Sequence, residues 1–151
     1  GGSAAYADTE ITKALNESVP LRLFGITDAA GFKFPLVPEF SGAAYAQFDA
    51  PASDTRDWFA RLDTTYIGKR YDNIVNLAYV PGQFRTNLRA GVRADNWDVV
   101  AFVNNLLDDD TLEASRYQSD SAADPFFFQL ASSEAVLPNK RHFGVTVTMR
   151  F

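Results

Sequence analysis

Cysteine is absent from the chain, and histidine occurs once, at His142. The first absence excludes a disulfide framework and a thiolate metal site. The second removes the ligand sets on which most zinc and haem centres depend, so neither a metal nor a cofactor is expected. Basic residues are outnumbered: 14 Lys and Arg stand against 19 Asp and Glu, a net charge of −5. Phosphate recognition needs a clustered basic surface, and none is visible, so nucleic acid is not an expected partner. No apolar run approaches the ~18 residues of a transmembrane helix. No charged-then-apolar leader opens the chain. The opening GGSAAYADTEIT looks like the middle of a longer polypeptide. Membrane insertion by strands stays open, because barrel strands need only ~10 residues each and escape a hydropathy search. No nucleophile–base spacing supports a catalytic triad, so an enzyme is not expected.

What the chain does have is aromatic side chains, with 13 Phe among its 151 residues, and a period of two. Six segments alternate. In Ala4 to Thr12, Ala5, Ala7, Thr9 and Ile11 alternate with Tyr6, Asp8 and Glu10. In SGAAYAQFD, Gly42, Ala44, Ala46 and Phe48 alternate with Tyr45, Gln47 and Asp49. In the third segment, Trp58, Ala60, Leu62, Thr64 and Tyr66 alternate with Phe59, Arg61, Asp63 and Thr65. In the fourth, Leu88, Ala90, Val92 and Ala94 alternate with Asn87, Arg89, Gly91 and Arg93. In the fifth, Trp97, Val99, Ala101 and Val103 alternate with Asp98, Val100, Phe102 and Asn104. In the last, RHFGVTVTMRF, Val145, Val147, Met149 and Phe151 alternate with Gly144, Thr146, Thr148 and Arg150.

The connections run long, short, long, short, long. Lys13 to Phe40, DNIVNLAYVPGQF and Asp108 to Lys140 are the long ones, APASDTRD is shorter, and Asp95-Asn96 is a tight-turn dipeptide tolerant of positive φ. The expected fold is all-β: an antiparallel up-and-down meander of about six strands in one domain spanning 1–151, with long loops at one end and tight turns at the other. Only TLEASRYQS, inside the last loop, reads as a turn or two of helix.

One face of this meander carries Ala, Val and Leu, with Trp58, Tyr66, Trp97 and Phe151 near the strand ends. The other carries arginines, Asp63, Asn87 and Asn104 alongside glycine and threonine. A membrane barrel has this distribution: an apolar lipid face bracketed by aromatic girdles around a polar lumen. A soluble β-sandwich has the same alternation with its apolar face buried, and that alternative stays open. On the barrel reading, Arg61, Asp63, Asn87, Arg89 and Arg93 line the lumen, either as structural ion pairs or as part of a transport path. A terminal strand ending on an aromatic, with Gly144, Val147, Met149 and Phe151, is how such a barrel closes.

Read in order, five phrases resemble the C-terminal barrel portion of a TonB-dependent outer-membrane receptor. These are YADTEIT, FPLVPEFSGAAYAQFD, ARLDTTYIGKRYDN, TNLRAGVRADNWDVVAFVNNLLDDD with Asn105, Leu106 and Asp108, and LPNKRHFGVTVTMRF with Arg141, Gly144 and Phe151. The resemblance covers essentially the whole chain. It implies the closing strands of a 22-stranded barrel in a bacterial outer membrane, surrounded by lipid and lipopolysaccharide. It also implies active uptake of a scarce small-molecule nutrient, such as siderophore-iron, cobalamin, a sugar or an aromatic compound. The expected partners are the remainder of the barrel, a plug domain and, through the plug, TonB. No plug and no TonB-contacting box are seen in this chain, and about six strands are too few to close a membrane barrel, so the expectation is a piece of a longer or split protein. A split or truncated piece acting only in structure or assembly is the second reading, and a soluble β-sandwich binding module is the third.

Three loop features carry candidate chemistry. Phe126, Phe127 and Phe128, adjacent in the last long loop, together with Tyr71 and Tyr79 in the preceding one, are candidate substrate contacts; Phe84 carries the same ambiguity, and self-packing of a large loop is the plainer reading. Asp108, Asp109 and Asp110 have the donors for calcium, against a solvated loop tip. His142 beside Arg141 is a poor metal candidate, and Asn16–Ser18 matches a glycosylation sequon that a bacterial outer-membrane protein would not normally use.

Overall fold

Period-two alternation pairs one strand to the next, and pairing decides the architecture. The computed structural model describes residues 1–14, 25–120 and 130–151. Among these residues the chain is all-β and contains no helix. Six strands form one antiparallel sheet: β1 (Gly2–Tyr6), β2 (Phe40–Ser53), β3 (Arg56–Ile67), β6 (Gln83–Ala94), β7 (Trp97–Asn104) and β10 (His142–Met149), in that spatial order. Two short ribbons sit outside it, β4 (Arg70–Tyr71) with β5 (Tyr79–Val80) and β8 (Ala114–Asp120) with β9 (Leu130–Val136). The meander follows chain order, so every connection in the sheet is a hairpin or an extended loop, and β1 and β10 are each paired on one side.

The register keeps the two alternating sets apart across β2, β3, β6, β7 and β10, while in β1 it is Ala4 and Tyr6, not Ala5, that fall on the apolar face beside Gly42 and Phe40. Ala60, Ala90, Ala101 and Val145 fall in one row on one face. Arg61, Arg89, Phe102 and Gly144 fall in the next row, on the other. The apolar face has no second layer: Phe143 is 83% exposed, Met149 65%, Phe48 64% and Trp58 55%. The buried apolar cluster of the molecule lies elsewhere, among the loops, where Ile11, Ala29 and Val75 are covered by Ala14, Ile26, Phe32 and Ile74.

Several sequence expectations are corrected. The alternation predicts a first strand over Ala4 to Thr12, but β1 spans Gly2–Tyr6 and Ile11 is buried in the loop cluster. Burial against Val75 outweighs continued alternation there. The short connection APASDTRD shrinks to Asp54-Thr55, because β2 and β3 extend through most of it. The third loop holds β4 and β5, which keep the register of β3 and β6: Ile67 faces Gln83, and Arg70 faces Val80 with the same offset. Residues 67–83 are thus one hairpin interrupted around Gly68-Lys69 and Pro81-Gly82. TLEASRYQS is not helical; it supplies β8, whose seven residues each face one in β9. Its helical tendency is a local preference, and antiparallel pairing with a second extended segment overrides it.

Candidate functional site: the polar face and the loop collar

The polar face is a connected set of charges. On β3, Arg61 and Asp63 are two residues apart on the same side, so the guanidinium folds along the strand and donates from Nε and Nη2 to Oδ1 at 2.8 and 2.7 Å. Arg61 stands directly opposite Arg89 on β6. Two like charges facing each other are unfavourable, and Asp63 resolves the clash by taking Arg89 on its second oxygen at 3.1 Å. Arg93 reaches Asp49 at 3.4 Å, and Gln47 links Arg61 and Asp49 at 3.2 and 2.7 Å. Of the five residues expected to line a lumen, Arg61, Asp63 and Arg89 therefore meet in one network. Arg93 joins it through Asp49, and Asn87 turns upward to accept the backbone N–H of Asn105 at 3.0 Å.

A feature missed in the sequence runs through this network. Three rings each lie opposite a glycine on the neighbouring strand: Tyr45 by Gly1, Phe59 by Gly91 and Phe102 by Gly144. A Cβ on Gly144 would fall 2.6 Å from Phe102 Cζ, and one on Gly91 would fall 2.2 Å from the Val99 carbonyl. The glycines let the rings lie flat over the strand, a form of aromatic cover for an open backbone. Arg61 caps Tyr45 at 4.4 Å, Arg93 caps Phe59 at 3.9 Å, and His142 meets Phe102 edge-on at 6.4 Å. The signal was present as a glycine directly across from an aromatic, but reading it requires the register. Val147 and Met149, the other members of the closure set, stand on the apolar face opposite Val99 and Trp97, and Phe151 follows the end of β10.

At the long-loop end the connections are sewn into a collar. Asn76, held at φ 53°, accepts Lys33 N–H at 2.7 Å and donates to the Lys33 carbonyl at 3.0 Å, tying the first loop to the second. Lys33 Nζ bridges Asp8 and Glu39 at 2.5 and 3.0 Å, and these two carboxylates raise its pKa. Asp28 accepts the backbone N–H of Ala14 and Ala30, both at 3.0 Å, which hold its carboxyl below the usual value. The second loop is tied to the third by Arg70, which donates to the Glu113 carbonyl, and by Asp72, which accepts Ser115 Oγ at 3.3 Å. Burial lowers the pKa of Arg70.

The NNLLDDD segment is the knot of the third loop. Asn105 is buried at φ 51°; its amide donates to the carbonyls of Asp109 and Asn139 and accepts Asp109 N–H, each at 3.0 Å. Asp109 also accepts Phe84 N–H at 2.7 Å and Thr111 N–H at 2.8 Å and pairs with Arg85 at 3.0 Å. Burial pushes its pKa up, but the Thr111 and Phe84 bonds and Arg85 outweigh that and hold it below the usual carboxylate value. Asp108 accepts Arg141 N–H at 3.0 Å. The three carboxylates thus diverge, and no metal-binding group of three acidic or histidine residues exists among the described residues. Asp109 departs from the solvated tip, because three donors draw it inward, while Asp108 and Asp110 stay exposed. His142 is engaged by Asn104 at 3.0 Å and the Lys140 carbonyl at 3.1 Å.

Of the candidate substrate contacts, Tyr71 and Tyr79 face each other across the β4–β5 ribbon, 6.4 Å apart and edge-on. Phe84 is separate from them; its ring meets that of Tyr66 at 4.6 Å, tilted by 39°. Phe126, Phe127 and Phe128 lie outside the described residues, as does the sequon Asn16–Ser18. The chain matches no protein-family model, and no characterised protein matches it significantly.

Proposed function

We propose that this chain forms part of a transmembrane barrel in a bacterial outer membrane, namely the closing strands and outer loops of a TonB-dependent active transporter for a scarce small-molecule nutrient. The observation that carries the reading is the uncovered apolar face. Between its two ends it holds only uncharged residues, chiefly Gly, Ala, Val, Leu and Thr. Aromatic rows bracket it: Tyr6, Phe40, Tyr66, Phe84 and Phe143 at the long-loop end, and Phe48, Trp58, Trp97 and Phe151 at the turn end. Trp58 and Tyr66 are eight positions apart on β3, ~26 Å along the strand and about 20 Å after a barrel tilt of roughly 40°, close to the ~25 Å apolar band of such barrels. The hydroxyls of Thr64 and Thr86, on this face, bond each other at 2.9 Å. That satisfies polar groups internally, as lipid demands.

In this reading the polar face lines a lumen shared with a plug, and the collar is the outer mouth. The chain does no chemistry; it supplies wall, rim and ligand contacts while TonB acts through the plug. The open sides of β1 and β10 favour one rival, a piece whose role is assembly by strand addition. Extraction from membranes in mild detergent without heating, followed by intact mass, separates the readings. The transporter predicts a species much heavier than 16.7 kDa that contains a plug. An assembly piece gives a heavier species without one. A monomer soluble in the absence of detergent overturns the membrane reading.

A further inference from the structure

Leu36 is conformationally out of place. It follows Pro35 at the third position of the turn Phe34–Val37 with φ 63°, a position that favours glycine, and its side chain is 58% exposed. The other non-glycine residues at positive φ among the described residues are Asn76, Asn105 and Asp108, types that tolerate it. Leu36 is thus disfavoured twice, by backbone strain and by exposure of apolar surface. Its N–H donates to the Tyr71 carbonyl at 2.8 Å, which fixes it beside the β4–β5 ribbon. There Lys69 Nζ sits 4.6 Å from the Tyr71 ring and 4.2 Å from the Tyr79 ring and donates to Tyr71 Oη at 3.2 Å. Lys69 makes no ion pair with the described residues. In an acidic chain, this cation is held by two rings instead of a carboxylate. The base under it is firm: Val80, on the ribbon beside Tyr79, is fully buried.

We propose that Leu36, Lys69, Tyr71 and Tyr79 form a rim site for a small aromatic carboxylate. A flat apolar ring packs between Leu36 and the exposed Tyr79, and the carboxylate takes donors of the Lys69 ammonium. The strain at Leu36 is retained because it presents an apolar side chain at the edge of the site. The proposal rests on reading the long-loop end as a ligand mouth, but binding at the rim is measured independently of membrane insertion.

The probe is 1-naphthoate, titrated by calorimetry against the full chain in the detergent or buffer in which it is folded, with neutral 1-naphthylmethanol as comparison. The acid is expected to bind at least tenfold tighter than the alcohol, since a hydrogen bond to a charged group is worth about 1.5–3 kcal/mol. Lys69→Met should erase that preference. Leu36→Asn should weaken naphthoate several-fold while raising the melting temperature by a few degrees, because Asn relieves the strain. A merely structural Leu36 would lower the melting temperature when replaced. No naphthoate binding, equal affinity for acid and alcohol, or a Leu36→Asn variant that is less stable than the parent overturns the site. Failure of the transporter reading would show separately, as a folded monomer that needs no detergent.

Discussion

The sheet and the collar are stabilised in opposite ways. The sheet has regular register, six strands and a continuous charge network, yet its apolar face covers nothing and is covered by nothing within the described residues. The collar has almost no regular structure, yet it holds the buried apolar cluster of Ile11, Ala29 and Val75 and the densely bonded pair Asn105 and Asp109. In a water-soluble domain the usual arrangement is the reverse: the sheet builds the core and loops run over it. On the proposed membrane reading, water is a poor solvent for one face of this sheet and a good one for the loops. Strands need no internal core when lipid accepts their apolar side, whereas loops standing in water must hide their own apolar residues.

Charge placement on the sheet breaks or keeps that comparison with the largest effect. Val145→Arg puts a cation at mid-height on the apolar face, and in a bilayer it should cost about 2–4 kcal/mol. Thr146→Arg, one residue along and on the polar face, should cost little. Denaturant unfolding of both variants in lipid vesicles measures the difference; equal losses would mean that the apolar face does not meet lipid. Next in size is the knot. Asn105→Ala removes the side-chain partner of the Asp109 N–H and of the Asp109 and Asn139 carbonyls, while the backbone bond to Asn87 stays, and should cost about 2–3 kcal/mol. Hydrogen exchange should show the loss in residues 105–111 and at the tops of β6 and β7, with the turn-end half of the sheet unchanged. Uniform loss would mean that sheet and collar unfold as one unit.

The smallest effect is the collar's response to acid. The folded pKa of Asp109 lies below its unfolded value, so its contribution is complete above the unfolded value of about 3.9. It is lost as pH falls through the folded pKa. Exchange protection of the Phe84 and Thr111 amides should therefore be flat from neutral pH down to about pH 4 and fall below it, and Asp109→Asn should abolish the step. Persistence of the step in that variant would assign it to another carboxylate.

The faces of the sheet were legible because side-chain direction in a strand depends only on parity. Arg61 and Asp63, or Val145 and Val147, declare their shared side with no knowledge of a partner. The Asp95-Asn96 turn was legible for a similar reason, as its chemistry is contained in two residues. The candidate site was less legible. The five lumen candidates share a face as read, but their sorting into one bridge through Asp63, one pair with Asp49 and one anchor on Asn105 follows from cross-strand register. The Gly–aromatic pairs, the β4–β5 ribbon, and β8 in place of a helical turn were unreadable because each depends on which residue lies opposite, a property absent from any one segment.

Sequence alone therefore determined that six strands alternate, the two faces of five of them and most of the aromatic residues that bracket the apolar face, since these follow from a two-residue period and the chemistry of single side chains. Tertiary structure decided where the core lies, which charges neutralise each other and how the loops lock together. Ile11 and Val75 meet across 64 positions, and Asn105 reaches Asn139 across 34. Such contacts are selected by the free energy of the assembled chain, since only burial and hydrogen bonding in three dimensions repay the entropy of closing loops of that length.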